Sequence, residues 1–289
     1  MKIYVCADDY GMTPQTCTRI EQCRQHGILN KISVFPNSEL PELEQRVLQQ
    51  DAYRSIHLNL VEGKSLSDPK EVPLLVAENG HFRHSFIGLL LLSLSPKKKE
   101  FQRQVAREIR AQLLRGRTMT VGDDPKAAVS IDSHQHTHMI PAIFRILLQV
   151  IREEKMQAAY LRIPSEPILP YLCTPSLYGT YRIANLIKQW LLRFFARVNR
   201  REWKASGIPS ACFMGILFSG CMDEKRVRKV LPHYRRYAEK RNMDIELLFH
   251  PGYWEPGEAL FDENKTGFRQ FHCSEGRKLE FDALMHLTI

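Results

Sequence analysis

The stretch Lys2-Ile3-Tyr4-Val5-Cys6-Ala7-Asp8-Asp9-Tyr10-Gly11-Met12-Thr13-Pro14 decides how the rest of the chain is read. Lys2 to Cys6 is rich in β-branched and aromatic residues and predicts a strand. Ala7 to Gly11 follows as a turn that carries a carboxylate pair. Thr13-Pro14 predicts a helix start, with threonine as N-cap and proline in the first turn. That helix is expected to run to about His26 and to stop at Gly27. A strand that feeds a helix through a polar turn is the opening unit of a parallel α/β fold. Such folds build their sites at the C-terminal ends of strands, which is where Asp8 and Asp9 stand.

The same alternation continues outward. Ile32–Phe35, Ser55–Leu60, Ala128–Asp132, Ala159–Ile163, Ala211–Leu217 and Ile245–Phe249 predict further strands. Between them, Glu100–Leu114 carries Val105, Ile109 and Leu113 at a spacing of four, an amphipathic helix. Pro141–Arg152, Arg182–Val198, Glu224–Lys240 and Glu275–Leu287 predict more helices, with a kink or restart at Pro232. The expected class is α/β with a largely parallel sheet. Residues 164–210 are the least regular and read as a variable insertion, a long loop up to Tyr181. No linker divides the chain, so residues 1–289 are expected to form one domain.

Composition narrows the class further. Hydrophobic residues are 44% and charged residues 25% of the 289, the balance of a globular protein rather than a disordered one. No repeat points to a solenoid. Phe86 to Leu94 is the longest apolar run, far short of the roughly 20 residues a spanning helix needs, so no membrane partner is expected. The N-terminus has no signal-like apolar region, and a cytoplasmic protein is expected. Seven cysteines without a CxxC pair argue against a disulfide framework or a zinc ribbon. The net charge of +9 invites an anionic partner. No zinc-finger, RNP or KH pattern accompanies it, and no nucleic-acid role is expected.

Four segments concentrate the chemistry. Asp8-Asp9 lies at a strand end, where one carboxylate can bind a metal while the other acts as a base. His57 sits inside the apolar Ser55–Leu60 strand; alone it would be an ordinary core histidine. Asp132-Ser133-His134-Gln135-His136-Thr137-His138 is the strongest signal, because strand alternation would place Asp132, His134, His136 and His138 on one face. Metal ligation or proton transfer gives such a face a reason to exist. Phe249-His250-Pro251-Gly252-Tyr253 ends another apolar strand and offers His250 as an acid or base. Carboxylate and imidazole ligands without cysteine suit a catalytic divalent ion such as Zn, Mn, Co or Mg. No GxSxG elbow supports a serine esterase, and no P-loop or GxGxxG pattern supports a nucleotide cradle.

Taken together, these residues resemble the YdjC-like carbohydrate deacetylases, a family that includes chitooligosaccharide deacetylases. The resemblance rests on Ala7-Asp8-Asp9-Tyr10-Gly11, His26-Gly27, Ser33 to Asn37 and His57 to Leu66. It continues through Asp132 to Pro141 and Glu246 to Tyr253, in the family's order. It implies a distorted (β/α) barrel of the glycoside hydrolase/deacetylase type. It implies a divalent metal, Mg or Zn first and Mn or Co next, bound by Asp9, His57 and His134. Asp8 would be the catalytic base and His250 the general acid. His136 and His138 would lie behind the ligands or at the substrate, and Arg162 would orient Asp8 or bind substrate. The activity implied is a hydrolase acting on linear amides, which removes acetyl groups from N-acetylated oligosaccharides such as diacetylchitobiose, in a possible homodimer. Tyr10 replaces the family's common phenylalanine and Gln135 a common histidine.

Tyr10, Tyr253 and Trp254 are aromatic residues that either stack on a sugar ring or fill the barrel mouth. Three other functions compete with the deacetylase. One is a metal hydrolase of another amide or ester. Another is a glycosidase using Asp8 and Asp132. The last is a non-catalytic sugar- or nucleic-acid-binding protein.

Overall fold

The computed structural model describes residues 1–124, 126–262 and 265–289. Its elements run β1 (Ile3–Tyr10), α1 (Pro14–His26), β2 (Lys31–Val34), α2 (Leu43–Gln49), β3 (Tyr53–Leu58), α3 (Phe86–Leu94), α4 (Lys98–Val121) and β4 (Val129–Ser133). They continue through α5 (Pro141–Glu153), β5 (Ala158–Leu161), α6 (Leu169–Leu172), α7 (Ile183–Val198), α8 (Arg200–Ser206) and β6 (Cys212–Met214). The chain closes with α9 (Glu224–Glu239), β7 (Ile245–Phe249), α10 (Thr266–His272) and α11 (Glu275–His286). The strands form one seven-stranded sheet in the order β5-β4-β3-β2-β1-β7-β6, with every pairing parallel.

Local chemistry accounts for the first unit. Thr13 Oγ1 accepts from the Thr16 N–H at 3.1 Å, Pro14 occupies the first turn, and the Gly27 N–H closes α1 on the Cys23 carbonyl at 3.1 Å. On one flank, Phe101, Val105, Ile109 and Leu113 of α4 pack with α5 over β3 and β4. On the other, α1, α9 and α11 cover β1 and β7. Each fully buried aliphatic side chain of this kind contributes about 1.5–3 kcal/mol.

Several boundaries differ from expectation. β1 does not end at Cys6 but runs through both aspartates to Tyr10. Phe86–Leu94 is helix α3, and α4 extends to Val121. α9 is continuous, with Pro232 inside it, rather than restarted there. The segment before Tyr181 is irregular, with only the short α6 and a 3₁₀ turn at Pro175–Thr180.

The sheet curls into a distorted barrel whose last seam, between β5 and β6, is not a strand ladder. There the Leu161 N–H donates to the Pro209 carbonyl at 2.9 Å, and the Ile163 N–H to Ser210 Oγ at 3.2 Å. Above them the buried Glu166 carboxylate accepts the backbone N–H groups of Gly215, Ile216 and Leu217 at 2.5, 2.8 and 3.0 Å. No helix among the described residues is long and apolar enough to cross a membrane.

The bore is polar, unlike a barrel filled with branched aliphatics. Arg162 is fully buried and donates to Glu246 at 3.0 Å; its Nη2 also lies 3.2 Å from Asp132 Oδ2. Lys31 Nζ reaches the other side of the network, 2.7 Å from Glu246 Oε1, and the Tyr160 hydroxyl donates to Glu246 as well. Burial alone would raise the Glu246 pKa, but Arg162 and Lys31 outweigh it and bring it from 4.5 down to about 2.

A carboxylate with a depressed folded pKa adds stability above its unfolded pKa and loses it as pH falls through the folded value. Unfolding free energy from denaturant titration is therefore expected to fall from about pH 4.5 towards about 2. Glu246→Gln should make that fall shallower. An unchanged slope would remove Glu246 from the acid response.

Candidate active site

Neighbouring side chains on a regular strand point to opposite faces. β1 breaks that rule where Asp8 and Asp9 lie. Its register against β2 shifts between Ala7 and Tyr10, so that β1 spends three residues against two. Asp9 sits at φ 73°, the left-handed region. The bulge turns both carboxylates to one centre: His57 Nε2 lies 3.8 Å from Asp8 Oδ2 and 3.7 Å from Asp9 Oδ1.

His134 arrives by a second irregularity. β4 ends at Ser133, and His134–Met139 is a 3₁₀ turn in which Gln135 and His136 take φ of 51° and 58°. The expected single face of Asp132, His134, His136 and His138 therefore does not exist. His134 Nδ1 lies 3.1 Å from Asp9 Oδ1, while its Nε2 contacts the Glu62 carboxylate. His136 lines the neighbouring cleft and packs edge-on against Phe213. His138 is fully buried, with Nε2 2.8 Å from the Arg162 carbonyl and Nδ1 2.5 Å from Ser133 Oγ. It braces the end of β4 and does not line the cleft.

Each imidazole facing Asp9 has a carboxylate behind it. His57 Nδ1 is 2.6 Å from Asp132 Oδ1, with Ser33 Oγ bonded to both groups. Such backing fixes the ring and raises its basicity. Phe35 holds the two rings from the side, at 5.0 and 5.1 Å between centroids. On the other flank Arg277 Nη2 donates to Asp9 Oδ2 at 2.8 Å. Arg277 reaches in because Gly276 packs directly on the loop after β6, where a Cβ would lie 1.9 Å from the Gly220 carbonyl oxygen. One turn further along α11, Glu280 accepts from the His250 N–H at 2.5 Å and lies 3.4 Å from its Nδ1.

The electrostatics describe a pocket that calls for positive charge. Burial disfavours the His57 cation, yet Asp8, the hydrogen bond to Asp132 and the contact with Asp9 push its pKa up to about 10. Burial also disfavours the Asp9 anion, but Arg277, His134 and His57 hold it well below the usual carboxylate range. His136, by contrast, is held well below the usual histidine range by burial, then Lys188 and Arg162.

Asp9, His57 and His134 each bring one ligand atom to within 4.8 Å of the others, all buried. Asp9 Oδ1 and His57 Nε2 are buried and make no hydrogen bond of good geometry, His134 Nδ1 lying 3.1 Å from the first. Buried polar atoms are nearly always satisfied, and two orphans facing an imidazole fit a divalent cation. Cys6, Asp132 and Glu246 also cluster, but the Arg162 guanidinium already contacts all three.

Asp8 stands beside this centre on a cleft of about 630 Å³ shared with His134, His136, Lys188 and His250. Arg162 clamps both of its oxygens, at 2.7 and 2.9 Å. Arg162, which the resemblance gave as orienting Asp8 or binding substrate, is in contact with Asp8. Asp132 is fully buried beneath His57, which removes it as the second carboxylate of a glycosidase.

Of the two readings for the aromatic residues, stacking on a sugar is not the one the structure favours. Tyr10 is fully buried and its hydroxyl donates to Glu21, so it is core rather than a sugar platform. Tyr253 lies under the Arg19 guanidinium, 4.1 Å from its ring centroid, in a separate surface depression. Trp254 is 4% exposed, stacked on His272 at 4.4 Å, with Nε1 bonded to Thr16.

Glu62, Arg277, Glu280 and His272 were not singled out from the sequence. Arg277 and Glu280 share a buried side of α11 with Ala283 and Leu284, which the apolar residues of that helix do not by themselves mark out.

The YdjC-like protein family model matches residues 2–289. The chain is similar to a carbohydrate deacetylase of Xenopus laevis, 29% identical over 93% of this chain and 87% of that protein. It is also similar to one of Mus musculus, 24% identical over 100% and 89%. A third, from Brevibacillus brevis, is 30% identical over 55% of this chain and 59% of its own length, less than two thirds of that relative. A solved structure from Enterococcus faecalis V583, of a protein named for cellobiose-phosphate cleavage, shares the fold with TM-score 0.68 and 18% identity, covering 98% of this chain and 90% of that one.

Proposed function

The chain belongs to the YdjC-like protein family, and from that premise we propose that it hydrolyses the acetamido group of N-acetylated sugars, with chitooligosaccharides such as diacetylchitobiose as first substrates. The observation that carries the reading is the pair of orphaned buried atoms, Asp9 Oδ1 and His57 Nε2, gathered with His134 beside Asp8 at the cleft. Asp9, His57 and His134 would hold a divalent cation, with Mg or Zn first and Mn or Co next. When bound, such a cation lowers the pKa of water and polarises an acyl carbonyl.

The chain's own groups supply the rest. Asp8, oriented by Arg162, takes the proton from the attacking water. His250, on the same cleft and held by Glu280, donates a proton to the departing amine. Asp132 and Glu62 keep the two imidazoles turned with one nitrogen towards Asp9. Phe35 and the buried surroundings keep bulk water from that centre. The products are acetate and the free amino sugar.

The test is acetate release from diacetylchitobiose and chitotriose by protein stripped with EDTA and reloaded with single divalent ions. Metal-restored acetate supports the reading, and failure to bind any divalent ion overturns it. Asp9→Ala and His134→Ala are expected to lose metal and activity together. Glu62→Gln should weaken metal affinity by about 10–100-fold, because it removes the carboxylate behind His134. Calorimetric titration of the stripped protein reads both effects without reference to turnover.

A further inference from the structure

Helix α7 is apolar on two sides. Gln189, Leu192 and Phe195 face inward and are buried. Ile183, Ile187, Trp190, Phe194 and Val198 recur at helical spacing on another side and are 75, 62, 67, 47 and 40% exposed. A surface helix ordinarily turns charge outward on the side opposite its core stripe; α7 turns out an aromatic and aliphatic stripe instead. Helix α3 does the same, with Ile87, Leu91 and Leu94 at 53, 63 and 74% exposure. Ile87 and Ile187 both line the cleft that holds Asp8, so the two stripes flank one opening. An exposed apolar patch of this extent marks a partner.

The charge around the patch identifies the partner. No acidic residue occurs from Asn79 to Lys99, which contains Arg83 and Lys97-Lys98-Lys99, or from Arg182 to Arg201, which contains six basic residues. A second copy of this chain seated here would press one basic rim against another. Tryptophan, phenylalanine and leucine within a basic border are the make-up of a face that lies in the headgroup layer of an anionic membrane.

We propose that α3 and α7 form a peripheral docking face for an anionic lipid bilayer, with the cleft opening onto the bilayer surface. The 9-residue α3 and 16-residue α7 lie on the membrane and do not cross it. The absence of a spanning segment, on which the expectation of no membrane partner rested, does not bear on such a contact. The proposal stands independently of the deacetylase reading.

The test is co-sedimentation of the full chain with vesicles of phosphatidylglycerol and phosphatidylcholine, or of phosphatidylcholine alone, at low and high salt. The protein should pellet with the anionic vesicles, with binding about tenfold or more weaker on neutral vesicles and at high salt. The double variant Trp190→Ser, Phe194→Ser should lose about tenfold or more of that binding while melting as the wild type does, since neither side chain belongs to the core. Should that variant misfold, Lys98→Glu with Arg197→Glu reverses two exposed charges and should weaken anionic binding alone. Equal binding to both vesicle types, no binding to either, or wild-type binding by the variants would each overturn the proposal. Sedimentation velocity that shows a dimer abolished by the double variant, with no vesicle binding, would give the face to a second copy.

Discussion

Asp8→Asn is expected to lower kcat on an N-acetylated oligosaccharide by about 10²–10⁴-fold, the usual worth of a positioned acid or base, while metal content stays at the wild-type value. The amide matches the carboxylate in size and leaves Asp9, His57 and His134 in place. What it removes is the ability to take a proton from water at neutral pH. Stability should change little, because Arg162 keeps Glu246 at 3.0 Å and Asp132 at 3.2 Å. Steady-state kinetics on metal-loaded protein, with metal measured by mass spectrometry, separate the outcomes. Retained turnover rejects Asp8 as the base, whereas loss of metal would move Asp8 into the ligand set.

Arg162→Leu should have the largest effect on stability. The fully buried guanidinium contacts three carboxylates, Asp8, Asp132 and Glu246, and its removal leaves Lys31 on Glu246 and the His57 imidazole on Asp8 and Asp132 to balance them. Breaking a buried ion pair from one side costs about 3–5 kcal/mol, because charge is left uncompensated in a poorly polarisable interior. Against a total stability of about 5–15 kcal/mol, that corresponds to a fall in Tm of roughly 10 °C for a chain of this size. Arg162→Lys keeps the charge but not the planar fork that grips both Asp8 oxygens, and it should fall between wild type and Arg162→Leu. Thermal melts of these two variants beside Asp8→Asn give the ordering. An Arg162→Leu protein that melts with the wild type would show that the bore does not depend on its cation.

Much of the fold can be read from single segments, because a parallel sheet writes its strands as short apolar runs that do not need their neighbours to be recognised. Ile245–Phe249 is found at its predicted bounds for that reason. β1 was cut short because two aspartates look like a turn. They remain in the strand because β2 pairs across them with a skipped residue, a property of the pairing and not of either sequence. A different cause hid the path of His134–His138. Alternation was the natural reading, and two left-handed residues overrode it.

The central groups of the site were legible because polar side chains at the ends of apolar strands stand out. Their supports were not. Glu62 lies in a loop, and Arg277 and Glu280 lie on a helix with ordinary surface composition. Only the packing of α11 against the loop after β6 turns the last two inward. The aromatics erred in the other direction. Tyr10 and Trp254 sit beside motif residues, but burial is decided by elements distant in sequence.

The seam between β5 and β6 has a consequence for how such a protein can diverge. The stretch that carries α6, α7 and α8 leaves from one side of that seam and returns on the other, and Glu166 fastens its near end to the residues just after β6 through three backbone N–H groups. None of the strands bearing Asp8, Asp9, His57 or His250 borders the gap, and β4, which leads to His134, is separated from it by β5. Lengthening, shortening or exchanging the intervening residues therefore alters one wall of the cleft and leaves the cluster of Asp9, His57 and His134 where it is. The buried polar cluster and the wall of the cleft above it are carried by separable parts of the chain, so a change in one need not disturb the other.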